Sequence, residues 1–257
     1  MIRVGVVGAT GRMGREVCRA VDADPDLALV AAVSRPHAGE RVADALGFVS
    51  DVVFTDSLDS LIDAGVEVSV DFTSGAYAPE HIAWAIEHGV HVVVGTTGFD
   101  ADPAWGEQDR VGILIAPNFA IGAILMQRCA EEAVRYLPDA EIVELHHEDK
   151  PDAPSGTAMA TARRMASVRG EREAEPGAER VTGARGADVE GIRVHSVRLP
   201  GLVAHQMVIL GGRSETLTIR HDSVDRTSFM PGVLMAVKSV GSRPGLTVGL
   251  EPILWPR

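Results

Sequence analysis

The chain has 257 residues, of which 46% are hydrophobic and 23% charged, and its formal net charge is -12 when the histidines are neutral. This composition is typical of a globular protein that is long enough to form two modest domains. The negative charge argues against nucleic acids and anionic membranes as partners, because non-specific binding to either needs a basic surface.

The first half of the chain alternates short apolar runs with helical patterns. Strands are predicted over residues 2–7, 27–33, 51–54, 66–72, 91–94 and 113–116, and helices over 13–21, 57–64 and 79–88. Near-continuous apolar strands separated by helices are typical of parallel strands that are covered on both faces. The first half is therefore predicted to be a Rossmann-type, doubly wound parallel sheet of the α/β class.

The pattern changes after about residue 118. Helices are predicted over residues 123–136, 154–168 and 226–240, strands over 139–147, 192–199, 206–210, 215–220 and 246–250, and an exposed loop over 170–191. The spacing of these strands indicates an open sheet. We therefore predict a second, α+β domain with an open mixed sheet.

Two further observations bear on the cellular compartment. No stretch approaches the roughly 18 uninterrupted apolar residues of a transmembrane helix, and no basic segment followed by an apolar one precedes the first strand. The two cysteines, Cys18 and Cys129, lack the spacing of a metal site, and we expect both to be buried thiols. A cytoplasmic protein is therefore expected.

A glycine-rich turn joins the first strand to the first helix. It reads Gly8-Ala9-Thr10-Gly11-Arg12-Met13-Gly14, a GxxGxxG variant of the dinucleotide fingerprint. In this fingerprint the first glycine permits the tight turn, the second lets the backbone approach a pyrophosphate, and the third lets helix and strand pack closely. The helix N-terminus would supply N–H groups to the phosphates, and Arg12 a charge. The alternative is a helix start that needs glycines only for packing.

The end of the second strand bears on the choice of cofactor. Sites for NAD usually place Asp or Glu here to hold the ribose 2′-hydroxyl, whereas this chain has Ser34-Arg35. A guanidinium without a neighbouring carboxylate suits a 2′-phosphate. We predict that NADPH is preferred and that NADH use is possible. The alternative is that Arg35 is an ordinary surface residue.

Small polar residues follow three other strands of the predicted sheet. The segments are Asp71-Phe72-Thr73-Ser74, Gly95-Thr96-Thr97-Gly98 and Ala116-Pro117-Asn118-Phe119. Ligands of open parallel sheets bind outside the carboxyl ends of the strands, so these segments are expected to complete the cofactor groove. Each of them, taken alone, is also compatible with an ordinary turn.

The segment with the most chemistry runs from Glu144 to Asp152. It holds two histidines, a lysine and four carboxylates, and a helix start follows it at residues 154–157. His146 and His147 would point to opposite faces if the strand continued through both. Ser155 or Thr157 would cap the helix, whose N-terminus forms an anion site. The two histidines could belong to a metal site, but no third ligand follows at suitable spacing, so no metal is predicted. The other alternative is that these are ordinary polar surface residues.

This segment resembles the signature of a known family. Residues 144–158 match E-x-H-H-x-x-K-x-D-A-P-S-G-T-A, and GATGRMG, DFT, GTTG and APNF stand in the family's order along essentially the whole chain. The chain thus resembles the 4-hydroxy-tetrahydrodipicolinate reductase (dihydrodipicolinate reductase) family of lysine biosynthesis through diaminopimelate. The resemblance implies that His146 and Lys150 are catalytic. The implied substrate-binding residues are His147, Gly156 and Thr157, and the anion site predicted at the helix start adds Ser155. The implied cofactor-binding residues are Gly8, Ala9, Thr10, Gly11, Arg12, Met13, Arg35, Gly95, Thr96, Thr97, Ala116, Pro117, Asn118 and Phe119, and the position of Phe72 and Thr73 at a strand end adds these two.

The resemblance also implies an organisation. Residues 1–119 and 227–257 would form the dinucleotide-binding domain, and residues 120–226 the substrate-binding and oligomerisation domain of a homotetramer. The substrate would be a cyclic imine dicarboxylate that loses water and accepts hydride from NAD(P)H. Many members carry an acidic residue where Ser34 stands, and those use NADH well.

Two other functions are compatible with a dinucleotide-binding half. One is a semialdehyde dehydrogenase, which needs a cysteine thiolate near the nicotinamide. Cys18 and Cys129 lie within predicted helices, which argues against it. The other is a sensor that binds dinucleotide without turnover, against which the pair of His146 and Lys150 argues.

Overall fold

The computed structural model describes residues 1–48, 50–170 and 179–256. It divides the chain into two compact units, one formed by Met1–Phe119 with Phe229–Arg257 and the other by Ala120–Ser228. Within the described residues, none of the helices combines the length and the apolar character that a membrane span requires.

The elements alternate strand and helix in unit 1 and are grouped in unit 2. In chain order they are β1 (Ile2–Val7), α1 (Arg12–Ala23), β2 (Leu27–Val33), α2 (Val42–Leu46), β3 (Phe54–Thr55), α3 (Ser60–Asp63), β4 (Val68–Asp71), α4 (Ala78–His88), β5 (His91–Val94), β6 (Gly112–Ile115), α5 (Ile121–Ala133), β7 (Asp139–His146), α6 (Gly156–Arg169), β8 (Ala187–Val189), β9 (Ile192–Arg198), β10 (Ala204–Gly212), β11 (Glu215–Ser223), α7 (Met230–Val240), β12 (Gly245–Val248) and α8 (Glu251–Leu254).

Unit 1 is a parallel sheet of seven strands in the order β12-β6-β5-β4-β1-β2-β3. The central strands are buried along their length, as their apolar runs predict, and Val6, Val70 and Val93 have no exposed surface. Helix α1 turns Val17 and Val21 into the core. The prediction of a Rossmann-type doubly wound sheet is confirmed.

The region between β2 and β4 differs from the prediction. The strand expected over residues 51–54 is reduced to Phe54–Thr55, because the residues before it pair elsewhere. Val53 forms an isolated antiparallel bridge with Arg41, and the Val42 N–H donates to the Val52 carbonyl at 2.9 Å. The helix expected over residues 57–64 is the single turn α3. The short helices α2 and α8 were not predicted, since one turn is too short to show a periodicity.

Unit 2 is an open mixed sheet in the order β11-β10-β7-β9-β8, in which β7 and β9 are parallel and the other neighbours antiparallel. Helices α5 and α6 pack on each other and on one face of the sheet. Ile142, Val208 and Met165 are fully buried between them. The predicted α+β domain with an open mixed sheet is confirmed.

The loop predicted over residues 170–191 is wrong in part. Residues 171–178 lie outside the described residues, but Ala187–Val189 forms β8, which pairs with β9. Glu190 and Gly191 link the two strands with φ angles of 52° and 81°, as in a type I′ hairpin turn. Only the pairing with β9 makes three residues of ordinary loop composition into a strand.

Both cysteines were expected to be buried, but only Cys18 is. Cys18 lies on the core side of α1, and burial raises the pKa of its thiol to about 12. Cys129 is exposed, because the buried face of α5, which includes Ala123 and Gln127, points away from it. The apolar pattern identified the helix but not the face on which Cys129 lies.

Candidate active site

The glycine-rich turn after β1 is closely packed. Gly8 has a φ of 79°, and a Cβ there would lie 2.8 Å from the carbonyl oxygen of Phe72. Gly11 is the N-cap residue of α1 and supplies no side-chain cap, and no acidic residue follows in the first turn. The uncapped N-terminus and the lack of side chains leave a cradle that fits a pyrophosphate.

The third glycine of the motif is required by packing. A Cβ at Gly14 would lie 2.1 Å from the carbonyl oxygen of Gly8. Gly14→Ala is therefore expected to lower the free energy of unfolding by about 1–3 kcal/mol, as overpacking does. Gly106→Ala is the matched control, since its Cβ would approach nothing closer than 3.8 Å. Urea denaturation measures both variants, and equal stabilities would contradict the packing role of Gly14.

A groove of about 620 Å³ adjoins this turn within unit 1. Its lining includes Gly8, Thr10, Ser34, Arg35, Thr73 and Tyr77. The Ser34 hydroxyl is buried and lies 2.7 Å from that of Thr10, whereas Arg35 is exposed and its guanidinium lies 5.5 Å from the ring centroid of Tyr77. Among the described residues that line the groove, Arg35 is the only arginine or lysine. A guanidinium with a free edge over an aromatic ring suits a phosphate beside a stacked base.

A buried carboxylate joins the ends of β4 and β5. Asp71 is 1% exposed and accepts hydrogen bonds at 2.8 Å from the Thr73 N–H, the Thr73 hydroxyl and the Thr96 hydroxyl, and it also pairs with His81 of α4. Burial alone would raise the pKa of Asp71, but the partners His81 and Thr73 hold it below its ordinary value. The ionised carboxylate thus fixes two of the predicted cofactor segments against each other.

Aromatic packing brings the third segment to the same edge. A Cβ at Gly95, the residue after β5, would lie 2.0 Å from the Phe72 ring, so a larger residue there would displace that ring. The Phe72 and Phe119 rings have centroids 5.8 Å apart. The predicted cofactor residues of unit 1 therefore gather at the carboxyl edge of the sheet: Ala9, Thr96, Ala116 and Phe119 are buried, Gly8, Thr10, Met13, Phe72, Thr73, Gly95 and Asn118 are half-buried, and Gly11, Arg12, Arg35, Thr97 and Pro117 are exposed.

The chemistry-bearing segment of unit 2 begins at the end of β7. The strand ends at His146, one residue short of its predicted end, so His147 lies in the following loop and the condition for an alternation of the two histidines is not met. The side chains of His146 and Lys150 are 14% and 23% exposed, which leaves both within reach of a ligand. The ammonium of Lys150 lies 2.6 Å from the carboxylate of Asp152, and this hydrogen bond lowers the pKa of Asp152.

The loop ends at the N-terminus of α6. Ser155, not Thr157, caps this helix, and its hydroxyl accepts from the Ala158 N–H at 3.2 Å. The Gly156 backbone N–H, at the start of α6, also lowers the pKa of Asp152. Asp152 thus lies near both Lys150 and the N-terminus of α6, two groups that suit a ligand carboxylate. Among the described residues, no three His, Cys, Asp or Glu side chains are arranged to hold a metal ion.

A second buried carboxylate lies behind His146. Glu144 has no exposed surface, and its Oε2 lies 2.5 Å from the Nδ1 of His146. Arg198 donates to both oxygens, at 3.0 and 2.8 Å, and the Ser155 N–H donates at 3.2 Å. Burial alone would raise the pKa of Glu144, but the hydrogen bonds from His146, Arg198 and Ser196 lower it to about 2.

Sequence reasoning missed two residues of these networks, His81 and Arg198. His81 lies in the first turn of α4, which follows the Asp71 segment in the chain, but only the packing of α4 brings it to the carboxylate. Arg198 lies 54 positions from Glu144 and reaches it because β9 pairs with β7, with Arg198 opposite His146. No local pattern indicates either pairing.

A Rossmann-type sheet with a phosphate-binding turn, together with a cluster of His, Lys and carboxylates, defines a two-domain nicotinamide-dependent oxidoreductase. Residues 2–119 match the family model for the N-terminus of dihydrodipicolinate reductase, and residues 122–254 match the model for its C-terminus. The chain belongs to the dihydrodipicolinate reductase family.

Similar proteins cover almost the entire chain. It is 49% identical to 4-hydroxy-tetrahydrodipicolinate reductase from Nocardia farcinica over 98% of each chain, and 47% identical to the enzyme of that name from Mycolicibacterium vanbaalenii over 98% of this chain and 99% of the other. A dipicolinate-bound dihydrodipicolinate reductase from Paenisporosarcina sp. TG-14 superposes with a TM-score of 0.86 at 39% identity, over 98% of this chain and 99% of that one. The predicted family is confirmed, and with it the prediction of an oxidoreductase. The two alternatives, a semialdehyde dehydrogenase and a sensor, are not supported.

Proposed function

We propose that this protein reduces 4-hydroxy-tetrahydrodipicolinate to tetrahydrodipicolinate in the diaminopimelate route to lysine. The observation that carries the proposal is the 49% identity to a reductase of that name over 98% of the chain, which includes the segment from Glu144 to Ala158. The substrate loses water to give a conjugated imine, hydride adds at ring carbon 4, and a proton adds at the adjacent carbon. Loss of NADPH absorbance on addition of the substrate tests this, and no oxidation of NADPH or NADH would contradict it.

The dinucleotide, when bound, supplies the hydride. In unit 1, the turn from Gly8 to Met13 would hold its pyrophosphate at the N-terminus of α1. The segments Phe72-Thr73, Gly95–Thr97 and Ala116–Phe119 would line the remainder of the site. We propose NADPH as the preferred dinucleotide, because Arg35 is the only arginine or lysine among the described residues that line the groove, and Ser34 stands where sites for NAD usually carry Asp or Glu.

In unit 2, the chain's own residues would bind and protonate the substrate. Lys150 and the residues at the start of α6, Ser155, Gly156 and Thr157, are suited to hold the carboxylates of the ring, and a ligand carboxylate would compete with Asp152 for the Lys150 ammonium. His146 would donate the proton to the ring carbon next to carbon 4, and His147 would contact the substrate from the loop. The Lys150 ammonium would also offset negative charge that develops on the conjugated ring nitrogen.

The two units would then have separate tasks, unit 1 binding the dinucleotide and unit 2 the substrate. We propose that unit 2 also mediates assembly into a homotetramer through the sheet face that α5 and α6 leave uncovered, and that the protein acts in the cytoplasm. Size-exclusion chromatography with light scattering tests the tetramer, and a monomer at micromolar concentration would contradict it.

Arg35→Ala tests the cofactor preference. Because a guanidinium contributes about 1.5–3 kcal/mol to a charged hydrogen bond, the variant is expected to raise the KM for NADPH by about ten- to a hundredfold and to leave the KM for NADH nearly unchanged. Steady-state kinetics with both cofactors measure this. Arg41→Ala is the control, since Arg41 is an exposed arginine nearby that pairs with Asp51. Equal losses with NADPH and NADH would make Arg35 a structural residue.

A further inference from the structure

We propose that Glu144 is a positioning residue, which together with Arg198 holds His146 in the tautomer that carries its proton on Nδ1 and presents Nε2 to the substrate. The inference rests on the proposed function, in which His146 is the proton donor. It assigns a task to a carboxylate that has no exposed surface and therefore does not itself touch a ligand.

The strand geometry sets up the contact between Glu144 and His146. Alternate residues of a strand share a face, so the two side chains of β7 project on the same side. His146 is the last residue of β7, and its Nδ1 lies 2.5 Å from Glu144 Oε2. The histidine ring is thereby anchored at one nitrogen, and Nε2 is the nitrogen left for a ligand.

The charge of Glu144 decides which tautomer the contact selects. With a pKa lowered to about 2, the Glu144 carboxylate is ionised at neutral pH and can only accept hydrogen bonds. Nδ1 must therefore be the donor, which leaves Nε2 as the position at which a neutral His146 binds a proton and an imidazolium releases one. The same logic underlies the buried carboxylate of the Ser-His-Asp triad.

Arg198 makes the buried charge tolerable and extends the network. An isolated buried carboxylate is strongly unfavourable. The bidentate hydrogen bonds from the Arg198 guanidinium, at 2.8 and 3.0 Å, offset the cost of burying the charge. Arg198 also donates to the Asp152 carbonyl at 2.6 Å, and Glu144 accepts from the Ser155 N–H. One carboxylate thus ties together the residue proposed as proton donor, the loop that carries Lys150 and the start of α6.

Nitrogen NMR of the wild-type protein, labelled with 15N-histidine, tests the tautomer directly. The chain has nine histidines, and the signals of His146 are those missing from the His146→Gln spectrum. At a pH where His146 is neutral, we expect a protonated, pyrrole-like Nδ1 and a pyridine-like Nε2. The opposite tautomer, or a mixture of the two, would overturn the inference. Because this measurement needs no turnover, it tests the tautomer independently of the proposed reaction.

A double-mutant cycle tests whether Glu144 acts through His146. Glu144→Gln is expected to lower kcat by about 10- to 1,000-fold, less than the roughly 10⁴-fold of the buried triad aspartate. In a His146→Gln background the same change should cost less than about threefold more, because the residue it positions is already gone. Equal fold-losses in the two backgrounds would overturn the inference.

Glu131→Gln is the matched control for loss of a charge in unit 2. Glu131 lies on α5 and accepts from Arg164 of α6 at 2.9 Å, so the variant removes a glutamate–arginine pair without a histidine. It should retain near-normal kcat and the wild-type His146 tautomer. If Glu131→Gln lowers kcat as much as Glu144→Gln does, the effect belongs to unit stability and the positioning role is overturned. If Glu144→Gln does not fold, the wild-type tautomer still decides the matter.

Discussion

Lys150→Ala is expected to lower kcat for 4-hydroxy-tetrahydrodipicolinate by about a hundredfold or more, the range for one lost electrostatic donor. Hydride addition leaves negative charge on the conjugated ring nitrogen, so an ammonium beside it acts mostly in the transition state. Lys150 is half-buried and its present partner, Asp152, is a carboxylate that a dicarboxylate ligand can replace. Steady-state NADPH oxidation by the purified variant measures the effect.

The control for this variant is unusually clean, because the chain contains only two lysines. The other, Lys238, lies on α7 in unit 1 and pairs with Asp24 and Asp26 at 2.8 Å. Lys238→Ala should retain normal kcat. A Lys150→Ala enzyme with near-normal kcat would refute the electrostatic role, and a selective loss of NADPH binding would show that Lys150 serves the cofactor instead.

His146→Gln is expected to lower kcat by about 10²- to 10⁴-fold, the range for a positioned proton donor. Glutamine keeps a hydrogen-bonding group near Glu144 but cannot release a proton, so the loss isolates proton transfer. The affinity for NADPH should barely change, because every residue proposed to bind the dinucleotide lies in unit 1. Turnover kinetics and a fluorescence titration of NADPH measure the two quantities separately.

His195→Gln provides the comparison for His146→Gln. His195 also pairs with a glutamate of β7, Glu141, at 2.8 Å, but lies away from the signature segment in the sequence. The His195→Gln variant should keep kcat near the wild-type value. Comparable losses in the two variants would mean that histidine–glutamate pairs support the sheet rather than the reaction.

The sequence by itself determined the sheet of unit 1 and indicated the segment that we propose carries the chemistry. Strands β1, β2 and β5 have the predicted bounds, because a strand buried on both faces must be a continuous apolar run. The glycine turn was also readable, since close backbone approach excludes every side chain at Gly8 and Gly14. The segment from Glu144 to Thr157 could be identified because the residues proposed to be functional are neighbours in sequence.

The tertiary structure alone decided the pairings between distant residues. Strand β8 exists only because β9 lies beside it, and Cys129 is exposed because the apolar stripe of α5 turns away from it. Arg198 reaches Glu144 across 54 positions, and nothing in the local sequence of either residue requires the other. A buried carboxylate needs a compensating cation, but the chain has many arginines, and only the register of β7 with β9 selects Arg198.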